Sequence, residues 1–144
     1  MTKSFVVDAS TCLKWIFQDE IDSEKALALQ KEYLDEKIEL LSPNIWVFEI
    51  ANGIKTAFLR ERIPINKCEL KLNQLLESSP YLISVEDKIE ACLNNALTYQ
   101  ISVYDSAYVT LAILNKVPLI STDSKLLKKI NNPKITIALE DFKS

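Results

Sequence analysis

The apolar positions of this chain fall into short runs separated by amphipathic stretches. "SFVVDAS" (4–10) predicts a short buried strand ending at Asp8, and "TCLKWIF" (11–17) a brief helix. In "DSEKALALQKEYLDEK" (22–37), Ala26, Leu29, Tyr33 and Leu34 stand near helical spacing, which predicts an amphipathic helix. "IELLS" (38–42) is the second strand. Ser42-Pro43 then reads as a helix N-cap with proline at the first helical position, opening a helix to about Leu59. "IPINKCELKLNQLLES" (63–78) predicts another helix, with Pro64 in its first turn. "YLIS" (81–84) is the third strand, and "SVED" (84–87) a capping box for a helix through Tyr99. A helix at 103–115, a strand at 118–122, a helix at 123–131 and a strand at 135–139 complete the pattern.

Strands alternating with one or two helices predict an α/β fold with a parallel sheet covered on both faces. The strands are short and continuously apolar, as strands buried on both faces should be. In such sheets the ligand crevice lies beyond the carboxyl ends of the strands, where strand order reverses. Acids at those ends are therefore the first candidates for chemistry.

The composition narrows that chemistry. At 144 residues, with 48% hydrophobic and 26% charged residues, the chain suits a single domain over 1–144. It lacks an apolar run long enough for a signal peptide core or a membrane span, so no membrane association and a cytoplasmic location are expected. Cys12, Cys68 and Cys92 are widely spaced and odd in number, which suits reduced, buried thiols. There is no histidine, which removes every mechanism built on one. The only glycine is Gly53, so no glycine-rich phosphate loop exists. Chemistry is left to carboxylates, hydroxyls, Lys and Arg, or a borrowed cation. A net charge of −3 argues against a broad nucleic-acid surface but leaves room for a local basic track.

Four acids stand out. Asp8 ends the first strand and Asp123 follows the fourth; each also fits a helix N-cap. Asp105, in the otherwise apolar "SVYDSAYVTLAIL", forms a capping box with Ser102. Glu49 has no capping role, being read as well inside its helix. It opens a stripe with Asn52, Gly53 and Thr56, beside the apolar arc Val47, Ile50, Ala51, Ile54 and Phe58. Gly and Asn are weak helix formers, so a site wall explains them better than solvent does. If the first and fourth strands are neighbours, Asp8 and Asp123 meet. Carboxylates gathered closely need a counter-charge, and for an all-oxygen site that is Mg²⁺ or Mn²⁺.

The segments "VVDASTCLKW" (6–15), "NIWVFEIANGI" (44–54), "SVYDSAYVTLA" (102–112) and "PLISTDSKLL" (118–127), in this order and spacing, resemble a PIN domain of the VapC toxin kind. The resemblance implies a three-layer PIN-like fold with a five-stranded parallel sheet of order 3-2-1-4-5, and an acidic pocket of Asp8, Glu49, Asp105 and Asp123. Ser10 is the hydroxyl that the pattern carries two residues after the first acid. It further implies a Mg²⁺- or Mn²⁺-dependent endoribonuclease, a homodimer, and a small antitoxin that puts a basic side chain into the acidic pocket. A housekeeping RNA-processing nuclease and a non-catalytic RNA- or peptide-binding module are the alternatives. A receiver-type switch would want adjacent acids after the first strand. A haloacid dehalogenase-type phosphatase would want an acid where Ser10 stands.

An RNA substrate needs cations near the acids. Lys14 and Lys125, closest to the motif ends, are the leading phosphate contacts, with Asn52 and Ser10 beside them. Lys55, Arg60, Arg62, Lys128 and Lys129 are further candidates, each also readable as a solvated helix face. Trp15 and Trp46 suit core packing better than base stacking.

Overall fold

Val6 and Val7, neighbours in β1 (Lys3–Val7), are both fully buried but in different cores. In the computed structural model, which describes residues 2–143, Val7 packs on one face of the sheet and Val6 on the other. Ile120 and Leu119 of β4 (Leu119–Ser121) divide the same way. Successive strand side chains point to opposite faces, so a strand covered on both sides must be apolar throughout. The continuous apolar runs of the sequence reflect this.

The sheet has five parallel strands in the order β3-β2-β1-β4-β5, with β2 Ile38–Pro43, β3 Tyr81–Ile83 and β5 Thr136–Ala138. One face carries α1 (Ala9–Leu13), α2 (Ser23–Leu34), α3 (Trp46–Leu59) and α4 (Ile65–Glu77), over a core that includes Leu29, Leu40, Trp46, Ile50 and Leu75. The other core gathers Tyr108, Val109 and Leu111 of α6 (Val103–Asn115) with Leu126 and Ile130 of α7 (Ser124–Ile130). Helix α5 (Ile89–Tyr99) packs on α6. Trp15 and Trp46 are core residues, and the Trp15 indole N–H donates to the Ala26 carbonyl at 2.8 Å. Cys12 and Cys92 are buried free thiols, and Cys68 is a half-buried one.

Two helix starts differ from expectation. Ser42 and Pro43 finish β2 rather than cap α3: Pro43 pairs with Ile83, and the Ser42 hydroxyl donates to the Val7 carbonyl at 2.5 Å. Proline cannot donate to the ladder, and here it stands at the last residue of β2, so the Ser-Pro pair closes a strand instead of opening a helix. The Ser84 capping box is also absent; a 3₁₀ turn at Glu86–Lys88 leads into α5 without a side-chain cap. Helices α5, α6 and α7 end on Gln100, Lys116 and Asn131 with φ of 54°, 56° and 46°. A chain with one glycine must use other residues in these left-handed positions. Gly53 itself serves packing, since a Cβ there would lie 2.3 Å from Leu13 Cδ1.

Candidate active site

Strand order reverses at β1, with β2 on one side and β4 on the other. Beyond the carboxyl ends of β1 and β4 lies a cavity of about 290 Å³ lined by Asp8, Glu49, Asp105 and Asp123, with Ser10, Tyr108 and Thr122. All four acids singled out in the sequence thus come together in one place.

Each acid is held by its local structure. Asp8 caps α1, where its Oδ1 accepts the Thr11 N–H at 3.0 Å, the Thr11 hydroxyl at 2.7 Å and the Ser10 hydroxyl at 2.9 Å. Its Oδ2 accepts the Ser121 hydroxyl at 2.5 Å. Asp123 caps α7, accepting the N–H groups of Lys125 and Leu126 at 3.0 and 3.2 Å. Ser102 Oγ accepts the Asp105 N–H at 3.0 Å, and the Asp105 carboxylate lines the cavity. Capping and pocket membership are therefore not rivals: Asp8 and Asp123 do both, and Asp105 lines the cavity from the helix turn that Ser102 caps. Glu49 lies in the first turn of α3, not well inside it, because the helix begins at Trp46. Its Oε1 accepts the Tyr108 hydroxyl at 2.6 Å.

The cavity penalises negative charge. Burial raises the Glu49 pKa above the usual carboxylate range; the Tyr108 bond pulls it back, and the Asp105 and Asp8 carboxylates push it further up. Burial likewise raises Asp105, with Asp123 and Asp8 adding to the rise and Ser102 and Lys129 opposing it. Burial and the neighbouring Glu49 carboxylate push the Tyr108 phenol up, so it stays protonated and donates. The lining holds no Lys or Arg to relieve this repulsion. Four carboxylates and several hydroxyls are hard oxygen donors, the chemistry that suits Mg²⁺ or Mn²⁺. Among the described residues, no three acid or thiol side chains converge tightly enough to cage an ion alone. Mg²⁺ commonly keeps several waters and takes only one or two carboxylates, so the donor set fits an ion bound partly through water.

The remaining candidates are dispersed. Ser10 lines the cavity, its hydroxyl 3.2 Å from that of Thr122. Asn52 and Lys125 are exposed and stand outside the lining. Lys14 lines an adjoining groove, its Nζ donating to the Ile21 carbonyl at 2.7 Å. Lys129 donates to the Gln100 carbonyl at 2.7 Å. Two residues were not foreseen. Ser121 is fully buried at the end of β4, donates to Asp8 and accepts the Asp123 N–H at 3.0 Å. Tyr108 sits three residues after Asp105, hence on the same helix face, and that spacing could have flagged it.

The chain belongs to the PIN domain family, a family of nucleases, with the match covering residues 5–132. It is similar in fold to PAE2754 from Pyrobaculum aerophilum, at 20% identity and a TM-score of 0.71, covering 97% of this chain and 93% of that one. It is also similar to a toxin–antitoxin complex from Klebsiella pneumoniae, at 17% identity and a TM-score of 0.62, covering 94% and 97%. FitAB bound to an IR36 DNA fragment aligns at 13% identity and a TM-score of 0.60, covering 97% and 98%. No curated protein matches the sequence.

Proposed function

We propose that this chain is a Mg²⁺- or Mn²⁺-dependent endoribonuclease and the toxin of a toxin–antitoxin pair. The observation that carries the nuclease reading is the meeting of Asp8, Glu49, Asp105 and Asp123 in a cavity that lacks any cation of its own. A bound divalent ion supplies a water of lowered pKa and neutralises charge on the phosphate, which a chain without histidine needs. Asp8, Asp105 and Asp123 would hold the ion directly or through water. Glu49, which accepts the Tyr108 hydroxyl, would hold a second ion or orient the attacking water. Ser10, at the mouth beside Thr122, meets the phosphate.

The toxin reading draws on fold likeness over nearly the full length of one chain in a toxin–antitoxin complex. An antitoxin arginine fits this pocket because its planar fork pairs carboxylates bidentately. The exposed stripe of Ile89, Leu93 and Leu97 on α5 is the proposed seat of a homodimer. No helix among the described residues is long and apolar enough to cross a membrane, and a cytoplasmic location goes with the proposed action on RNA.

Induced expression in a bacterial host tests the toxin reading. Growth should stop when the wild-type chain is induced, and should continue when Asp8→Asn is induced in its place. Unimpaired growth beside RNA cleavage by the purified protein would favour a housekeeping nuclease.

A further inference from the structure

A second groove, about 260 Å³, adjoins the acidic cavity and is walled by Lys14, Arg60 and Arg62. Ser10 and Thr122 line both spaces and form the sill between them. Charge changes sign across that sill. Four carboxylates and no cation line the cavity, whereas three cations and one carboxylate, Glu20, line the groove. Glu20 offsets part of that charge and fixes two of the cations in place: it accepts Arg62 Nη1 at 3.0 Å and Lys14 Nζ at 3.4 Å. The Arg62 guanidinium also reaches Asp19 at 3.0 Å and lies 4.6 Å from the centre of the Phe17 ring. Arg60, exposed at the end of α3, makes no ion pair among the described residues.

A phosphate entering the cavity meets four acidic side chains and no cation, so an anchor close by would help its approach. We propose that the cationic groove seats the phosphodiester next to the one being cleaved. Arg60 is the principal contact, and the RNA strand crosses the Ser10–Thr122 sill. This rests on the ribonuclease reading above and adds a path and a direction to it. An arginine that faces solvent unpaired is available to a phosphate without first losing a carboxylate.

The test measures binding of a labelled single-stranded RNA by the full chain in EDTA over a range of salt. It adds KM and kcat for cleavage of the same strand in Mg²⁺. Arg60→Gln is compared with Lys3→Gln, which alters a cation at the far end of β1. Both variants should melt with the wild type, since both side chains are exposed. Losing one phosphate contact should flatten the log–log salt slope by about 0.7. Arg60→Gln should show that flattening and a raised KM with kcat unchanged, whereas Lys3→Gln should behave as wild type. Equal slopes and equal KM for wild type and Arg60→Gln would overturn the groove assignment and leave the nuclease reading intact. A wild-type protein that neither binds the strand nor cleaves it would overturn both.

Discussion

The hydroxyl of Ser121, at the end of β4, lies 2.5 Å from Asp8 Oδ2, just past the end of β1. The same oxygen accepts the Asp123 N–H at 3.0 Å, so one buried side chain sets the spacing of two acids. The β1–β4 register, with Val7 opposite Ile120, puts it there. Ser121→Ala strips a partner from a buried carboxylate, which costs about 1–3 kcal/mol. Cleavage per folded molecule should fall roughly tenfold or more, the effect of a shift in transition-state energy of about 1.4 kcal/mol. A variant that melts early yet cleaves at the full rate would reduce Ser121 to a packing role.

Tyr108→Phe should act through Glu49. The phenol donates to the Glu49 carboxylate and opposes the rise that burial imposes on its pKa. Without that donor the Glu49 pKa climbs further. If ionised Glu49 is needed, the acidic limb of the pH–rate profile moves to higher pH, while the rate on the alkaline plateau drops less. An unmoved acidic limb would exclude Glu49 from the groups that limb reports.

Asp105→Asn separates the cap from the cluster. As a simple first-turn acid, Asp105 would stabilise α6, and its neutralisation would lower the melting temperature. In the cluster its pKa is raised by burial and by Asp123 and Asp8. A carboxyl whose folded-state pKa exceeds its unfolded value stabilises fully below the unfolded pKa. That contribution is lost as pH rises through the folded value. In chelator at neutral pH, Asp105→Asn should therefore melt at or above the wild-type temperature. The advantage should vanish below the ordinary carboxylate range. Added Mg²⁺ should raise the wild type more than the variant, because the ion stabilises through its affinity for the native state. A variant that melts below the wild type in chelator at neutral pH would restore the plain capping role.

Gln100→Gly tests the fold rather than the site. Gln100 ends α5 at φ 54° and its N–H bonds the Ala96 carbonyl. A non-glycine residue in this left-handed region costs about 1–2 kcal/mol, part of which glycine returns through its freer unfolded chain. The net gain should be up to about 1 kcal/mol, or about 2–4 °C in Tm for a chain of this size. Cleavage should not change. A lowered melting temperature would contradict the left-handed C-cap.

Much of the layout was legible because parallel strands buried on both faces are apolar along most of their length, as in "FVV" (5–7) and "PLI" (118–120). The strand order came with the family resemblance, since apolar runs alone do not say which strands pair. The four acids were legible because ionisable groups at strand ends or beside apolar helix faces demand a reason. Ser121 was not, because a serine in an apolar run reads as neutral filler until β4 is laid beside β1. Asn52 is not part of the cavity: the buried face of α3 is Trp46, Ile50, Ile54 and Ala57, and Asn52 is exposed. The space left by the missing Cβ of Gly53 is occupied by Leu13, and both residues, with Thr56, line the groove beside the acidic cavity.

Metal dependence is decided by cleavage of a single-stranded RNA by the purified wild-type chain, with Mg²⁺ or Mn²⁺ and with excess EDTA, beside Asp8→Asn. Cleavage should occur only with the divalent ion, return after EDTA when the ion is added back, and fall by several orders of magnitude in Asp8→Asn. Undiminished cleavage in excess EDTA, or by folded Asp8→Asn, would contradict the proposed mechanism.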